Sequence, residues 1–391
     1  MKISKIHPFV PVTLGMLTAF GPFITDFYLP VLPEMSGYFN TSPALASMSL
    51  TMGMVGLAVG QAFIGPLTDK YGRKGILVVS MLLFAVATVL CIYAPDIFVF
   101  NAMRLLQGVA GAGGIVISKS MATDMYAGQE LASFMAVLGA INGVAPVCAP
   151  VVGGLMSGVA SWQGVFALLL CLGIVLMVCS ACLKETLEPE RRIRKSLLKV
   201  YANLFNVFRN KVFTLSTLSM TACFFAFFGY LASSPYILQQ QYGLSPLEFS
   251  LCFGFNALMI CVGTVMAARI RLRTALRNGA AGLTVASLLL MACLMNRLPL
   301  WAVMVSYVAL MLYFGFLQPG LTAIALESES KNAGAASAVF GAVGFVSGAF
   351  ASPLVALGDI RLTASWVVLC GSAVCLVFVL RLCRMLPKGG L

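Results

Sequence analysis

Residues 65–74 read Gly65-Pro66-Leu67-Thr68-Asp69-Lys70-Tyr71-Gly72-Arg73-Lys74. Four charges are crowded into one short turn, with the apolar runs 45–68 and 75–94 to either side. Each run is long enough to cross a bilayer as a helix. The stretch therefore reads as a tight connection between two spans, with Gly72 permitting the turn. A loop of simple positive charge accounts for Lys70, Arg73 and Lys74, but not for the ordered Gly-Asp-Gly-Arg spacing. Working outward, further apolar runs lie at 9–32, 97–119, 131–157 and 163–183, and then at 212–239, 248–270, 278–296, 299–326, 333–357 and 364–383. The expected fold is an all-α integral membrane protein with twelve transmembrane helices.

Composition agrees. Apolar residues make up 60% of the 391, and charged residues only 10%, against about 25% in a soluble domain. Disordered chains are poor in apolar residues, so disorder is excluded too. All 12 cysteines lie in apolar segments, which argues against a disulfide framework. Cys179 and Cys182 form a CxxC, but at the end of an ordinary span, where small packing residues are the simpler reading. His7 is the only histidine, so ligands for a zinc site are scarce. No phosphate-binding loop and no nucleophile–base set is found in the spans. The expectation is a protein that is not an enzyme and carries no metal or other cofactor.

Lys and Arg fall asymmetrically. With a cytoplasmic N-terminus, 22 of the 25 lie inside, Arg297 and Arg361 outside, and Arg104 within a span. This places both termini in the cytoplasm. The net charge of +12 then faces anionic lipid headgroups and needs no nucleic acid. Lys2 and Lys5 precede the first span without a cleavage site, so that span is expected to be retained. Residues 184–211 form a basic linker. Arg191, Arg192, Arg194, Lys195 and Lys199 alternate with Ile193, Leu197, Tyr201, Leu204 and Phe208, the pattern of an amphipathic helix lying on the membrane surface. The linker separates residues 1–183 from 212–391, six spans each. Two such halves suggest pseudo-repetition with a substrate site between them.

Two ionisable residues lie well inside the spans, Asp26 and Arg104. Such groups are costly in lipid and rarely face it. Counting 1.5 Å per residue from the outer edge puts each roughly 9 Å deep. Opposite charges at matching depth suggest a pair, direct or through water. A static buried pair contributes little stability, because desolvation offsets attraction. A functional pair is favoured: burial disfavours the carboxylate and a nearby guanidinium favours it, so moving Arg104 would load or release a proton at Asp26. Tyr28, Pro30 and Pro33 follow, marking either a helix end or a bent cavity wall.

Within the turn first quoted, Arg73 is placed to pair with Asp124 at the inner end of the fourth span. Asp69 is placed to face a helix N-terminus near residue 333. The fourth span reads Arg104-Leu-Leu-Gln107-Gly108. The fifth reads Gly143-Val-Ala-Pro146-Val-Cys-Ala-Pro150-Val-Val-Gly153-Gly154. Small residues at three- and four-residue intervals let helices approach closely. Gln107 and Asn142 are polar, intramembrane and candidates for a cavity wall.

Together these stretches resemble the major facilitator superfamily. Gly65–Lys74 looks like its loop signature between the second and third helices, with Gly65, Asp69, Gly72, Arg73 and Asp124 forming a cytoplasmic gate. Arg104-x-x-Gln107-Gly108 resembles the fourth-helix signature of its proton-coupled drug antiporters. Gly143, Pro146, Pro150, Gly153 and Gly154 resemble their fifth-helix motif, with Ala145 before Pro146 where Gly-Pro is usual. Asp26-Phe-Tyr28-Leu-Pro30, Lys184-Glu185-Thr186-Leu187, Ser233-Ser234-Pro235-Tyr236-Ile237-Leu238-Gln239 and Ala333-Gly-Ala-Ala-Ser337-Ala338 are similar to the bicyclomycin- and chloramphenicol-resistance (Bcr/CflA) group. The resemblance implies two six-helix bundles alternating access around a central cavity in the bacterial plasma membrane. It implies export of small drug-like molecules driven by the proton gradient, with Asp26 and Arg104 on the proton-coupling positions; the sequence gives no hint of an obligate oligomer, so a monomer is expected. Tyr28, Gln107, Asn142, Tyr230, Tyr236, Gln239 and Asn256 are the expected cavity residues. A dedicated metabolite exporter of the same fold is the alternative, and a receptor or scaffold the more distant one.

Overall fold

The computed structural model describes residues 8–126, 128–192, 205–329, 333–355 and 357–386. Every predicted span contains helix, although the first is interrupted at Ala19 and again by a turn over Asp26–Tyr28. In chain order the helices are α1 (Phe9–Thr18), α2 (Phe20–Thr25), α3 (Leu32–Tyr38), α4 (Pro43–Tyr71), α5 (Arg73–Ile92), α6 (Ile97–Met125), α7 (Gly128–Ser157) and α8 (Trp162–Cys182). After the linker come α9 (Lys211–Pro235), α10 (Pro246–Ala268), α11 (Leu272–Met295), α12 (Leu300–Ser328), α13 (Ala333–Val355) and α14 (Ile360–Met385). Among the described residues, ten helices are long and apolar enough to span, and the bent pair α1 with Phe20–Tyr38 makes an eleventh. α7 occupies the remaining predicted position; its apolar stretch among the described residues is Ile141–Ser157.

The first span bends by 47° at Ala19. Pro22 explains the position: it has no N–H to give the carbonyl four residues back, at Thr18, and its ring crowds that carbonyl. Pro30 and Pro33, which from sequence mark either a helix end or a bent cavity wall, occupy the opening turns of a 3₁₀ turn at Leu29–Val31 and of α3. Proline is tolerated there because no intrahelical donor is lost.

Helix starts carry their own caps. Asp96 accepts from the N–H groups of Phe98 and Val99 at 2.8 and 2.9 Å. Asn210 accepts from Val212 and Phe213. Ser245 and Glu248 form a reciprocal capping box ahead of α10. α5 has only Gly72 at its cap position, with no side chain to offer.

Helices α1–α8 pack chiefly on one another, as do α9–α14. The two sets meet along α4 against α13 and α7 against α10. These seams need small residues: a Cβ on Gly154 of α7 would stand 2.1 Å from Ser250 Oγ of α10. Residues 193–204, the middle of the predicted amphipathic linker, lie outside the described residues. Its ends form 3₁₀ turns at Pro189–Arg191 and Phe205–Arg209.

Candidate functional site: two buried polar clusters and a charged turn

Arg104 is fully buried on α6. Close packing of α4 on α6 brings it there, because Gly108 lies where a Cβ would meet Gly53 O at 2.2 Å. Its guanidinium lies over the Tyr28 ring, 4.4 Å from the centroid, and near Phe166 at 5.7 Å. Nη2 donates to the Ile24 carbonyl at 2.7 Å, and Nη1 donates to Gln107 Oε1. Gln107 Nε2 in turn donates to Thr88 Oγ1 at 2.7 Å, and the Tyr28 hydroxyl is bonded to Ser49 Oγ at 2.9 Å. Arg104 Nε has no hydrogen-bond partner among the described residues.

Asp26 is at the same level of the bundle but does not pair with Arg104. Its carboxylate accepts from Thr25 Oγ1 at 2.7 Å, and no ion pair within 4.0 Å reaches it among the described residues. The depth inferred from residue counting agrees with the Arg104–Ile24 bond, but the expected direct pair is absent. The guanidinium is instead turned to an aromatic face, a backbone carbonyl and an amide, which engage its two Nη groups and one face. Asp26 instead lies within electrostatic reach of the Tyr230 hydroxyl in the other bundle. Gly153 shapes this segment, since a Cβ there would stand 1.8 Å from the carbonyl oxygen of Phe27, the residue after Asp26.

Tyr230 belongs to a second cluster. Asn256 Nδ2 donates to its hydroxyl at 3.1 Å, Phe253 stacks on its ring at 5.6 Å, and Tyr307 meets it edge-on at 4.8 Å. All four are buried. Asn256 Oδ1 has no hydrogen-bond partner among the described residues, and the Tyr307 hydroxyl has none there within 3.5 Å, with Ser233 nearby. Tyr307 was missed in the sequence, where one tyrosine in a long apolar run carries no positional signal.

The other expected cavity residues separate. Gln107 is fully buried between Arg104 and Thr88 and is hydrogen-bonded to both. Asn142 is exposed, and its side chain makes no hydrogen bond among the described residues. Tyr236 and Gln239 join the halves: Tyr236 Oη donates to Pro43 O at 3.4 Å, and Gln239 Nε2 donates to Pro30 O at 3.0 Å. Ser352 Oγ adds a bond to Ser47 O at 3.0 Å. Together they latch the seam at the end of the bundle that carries Pro30 and Pro43. A π-helical turn at Tyr236–Gln241 presents the first two.

At the opposite end, Arg73 is 6% exposed and multiply bound. Nε donates to Asp124 Oδ2 at 3.1 Å, as expected, and Nη1 donates to Thr68 Oγ1 at 2.8 Å and Asp69 Oδ1 at 2.5 Å. Asp69 is thus the partner of Arg73; residues 330–332, next to the helix start it was expected to face, lie outside the described residues. Gly72 has φ of 102°, and a Cβ there would stand 2.6 Å from Glu185 Oε2. Glu185 supplies the cap that α5 lacks. Its carboxylate accepts from the N–H groups of Arg73, Lys74, Thr186 and Leu187, at 2.9 to 3.2 Å. Partial burial works to raise its pKa, but the four donors outweigh it and hold the carboxyl below its ordinary range. Thr186 Oγ1 donates to Asp124 Oδ2 at 3.0 Å and ties the linker to the same knot. Sequence showed Lys184–Leu187 only as a family mark, because Glu185 and Arg73 are 112 residues apart.

Gly65 has ordinary clearance, with its nearest foreign atom 3.7 Å from a built Cβ. On α7, Gly143 is similarly open at 3.9 Å, whereas Gly153 and Gly154 are tightly packed against different neighbours. Pro146 and Pro150 lie within the same helix.

This fold of two packed helical bundles is that of a membrane transporter rather than an enzyme. Residues 14–352 match the Major Facilitator Superfamily, and the chain belongs to it. It is 33% identical over 353 residues to an uncharacterized MFS-type transporter, YdgK, of Bacillus subtilis (strain 168), covering 88% of each chain. It is 25% identical over 349 residues to a bicyclomycin resistance protein homolog of Haemophilus influenzae, again over 88% of each. A chloramphenicol resistance protein of Pseudomonas aeruginosa matches at 28% over 234 residues, covering 60% of this chain and 55% of that one. The Bcr/CflA resemblance drawn from the motifs agrees with these relatives. Among solved structures, the nucleoside transporter NupG superposes with a TM-score of 0.75 at 11% identity, covering 97% of this chain and 100% of that one. The chain is a multi-pass membrane transporter of this superfamily.

Proposed function

We propose that this transporter exports small amphiphilic, drug-like molecules in exchange for protons, by alternating access between its two bundles. The observation that carries the reading is the isolation of Asp26. Its carboxyl is buried with one hydroxyl donor and, among the described residues, no cation within 4.0 Å, while Arg104 is engaged elsewhere. Burying an unpaired carboxylate is costly, so such a group holds either a proton or a cationic ligand. Trading one for the other is the elementary step of antiport. Asp26 is the proposed proton carrier. Arg104 is the positioning group, fixing the Ile24 carbonyl and the Tyr28 ring that flank the carboxyl.

The distribution of Lys and Arg orients the cycle, with the Arg73 end in the cytoplasm and both termini there. In that orientation the Tyr236, Gln239 and Ser352 latch closes the outer side. Opening it, while α4–α13 and α7–α10 close at the other end, would carry a bound molecule out. The knot of Arg73, Asp69, Asp124 and Glu185 would hold the cytoplasmic ends of α4–α6 as one rigid piece during that motion. The resistance-protein names of the relatives favour drug-like cargo. One observation favours the dedicated exporter instead. The unpartnered Asn256 Oδ1 and Tyr307 hydroxyl suit a ligand with matched hydrogen-bonding groups.

The test uses proteoliposomes with an internal pH dye and imposed gradients of chloramphenicol and small cationic dyes. Wild type is expected to move protons against substrate, and Asp26→Asn to fold but move none. Substrate flux without proton movement would make the protein a facilitator. Transport of one compound out of a broad panel would select the dedicated exporter.

A further inference from the structure

Away from the seam, the start of α9 and the end of α14 enclose a groove of about 490 Å³, lined by Phe208, Lys211, Thr214, Leu215, Arg381, Arg384 and Met385. The two helices contribute matched faces. Lys211, Thr214 and Leu215 are spaced i, i+3, i+4, and so are Arg381, Arg384 and Met385, so each trio shares one side of its helix. Each trio places cationic heads beside an apolar residue, and Phe208 adds an aromatic wall. Lys211, Arg381, Arg384 and Met385 are exposed.

Among the described residues no carboxylate lies within 4.0 Å of these cations. Every one of the chain's 13 Asp and Glu residues lies among the described residues, and the ion pairs found there all involve Arg73. Glu329, the acid at the nearby end of α12, accepts from Asn210 Nδ2 at 3.0 Å. Helix electrostatics accounts for only part of the cluster. Arg384 in the last turn of α14 complements that helix's C-terminal dipole, but Lys211 is the first residue of α9, where the dipole disfavours a cation. Three like charges converge on an apolar-lined groove at the ends of two spanning helices, which is the level of lipid headgroups.

We propose that this groove is a binding site for an anionic glycerophospholipid. Its phosphodiester would be held among Lys211, Arg381 and Arg384, and its acyl chains would lie against Phe208, Leu215 and Met385. Basic pockets between spanning helices recognise such headgroups. The pairing would join the first helix of the second bundle to its last, next to the linker, whatever the cargo of the transporter.

The test is lipid retention by the full chain purified in mild detergent, read by native mass spectrometry and by thermal unfolding. Phosphatidylglycerol is compared with phosphatidylcholine and with inorganic phosphate. Wild type should retain phosphatidylglycerol and be stabilised by it, with neither effect from the other two. A Lys211→Gln/Arg381→Gln/Arg384→Gln variant should bind it about 100-fold more weakly, as expected for three surface-level cations. A Lys211→Arg/Arg381→Lys/Arg384→Lys variant should bind as wild type, which separates charge from folding. A control Arg269→Gln/Arg271→Gln/Lys184→Gln variant removes three charges elsewhere and should also retain the lipid. Equal loss in the control, full retention in the first variant, or equal stabilisation by inorganic phosphate would each overturn the proposal.

Discussion

Gly143 and Gly153 belong to one fifth-span motif, yet the structure gives them opposite consequences. A methyl group on Gly153 would be placed 1.8 Å from Phe27 O and 3.0 Å from Phe27 C, both backbone atoms that no rotamer change can move. Carbon and oxygen approach to about 3.3 Å in close helix contacts, so α7 and the Asp26–Phe27 segment would have to part by about 1.5 Å. Overpacking of this kind costs roughly 1–3 kcal/mol, and backbone contact puts Gly153→Ala near the upper end. For a bundle of this size that corresponds to a fall in Tm of roughly 5–10 °C. It would also displace the peptide next to Asp26, so proton-coupled transport should fall more steeply than the amount of folded protein. At Gly143 the nearest foreign atom is Cys261 Sγ, 3.9 Å from the built Cβ. Gly143→Ala should therefore be neutral, or stabilising by about 0.5–1 kcal/mol through helix propensity. Thermal unfolding in detergent and transport in proteoliposomes read both effects. Equal tolerance of the two substitutions, or equal damage, would refute the placement of α7 against the first span.

Arg104→Lys keeps the charge but loses the planar group that stacks on Tyr28 while donating in two directions. A loss of about 2–4 kcal/mol is expected from unmet acceptors at Ile24 and Gln107 and from the lost stacking, with transport abolished; wild-type melting and flux in that variant would contradict it. Glu185→Gln should cost about 1 kcal/mol or less, as for an exposed helix cap. Because the Glu185 carboxyl is held below its ordinary value of 4.5, its contribution is present above that pH and lost as pH falls through the lower folded value. The melting difference between wild type and Glu185→Gln should be constant near neutrality and vanish in acid below 4.5. Tyr307→Phe removes a buried hydroxyl with no hydrogen bond within 3.5 Å among the described residues, so stability should change by less than about 0.5 kcal/mol. Affinity for transported compounds should drop, as ligand titration of the two proteins would show.

Much of this protein follows from one dimension. Apolar runs long enough to cross lipid announce helices, because a backbone in a bilayer must bond within its own segment. The tally of Lys and Arg suggests an orientation, and charged residues inside spans mark places where burial needs a reason. The tight turn at Gly72 and the Arg73–Asp124 pair were legible for the same cause, since few residue types suit such positions. Three-dimensional packing decided what distance along the chain conceals. Residue counting put Asp26 and Arg104 at one level, but only the packed bundle shows the arginine turned to Ile24, Gln107 and Tyr28, leaving the acid toward the other half. Glu185 caps a helix 112 residues away, Tyr236 and Gln239 latch the seam, and Tyr307 joins Tyr230. Each depends on which side of a helix faces which neighbour. In spans apolar on nearly every side, sequence periodicity carries little of that information, and the close approach of small residues supplies it.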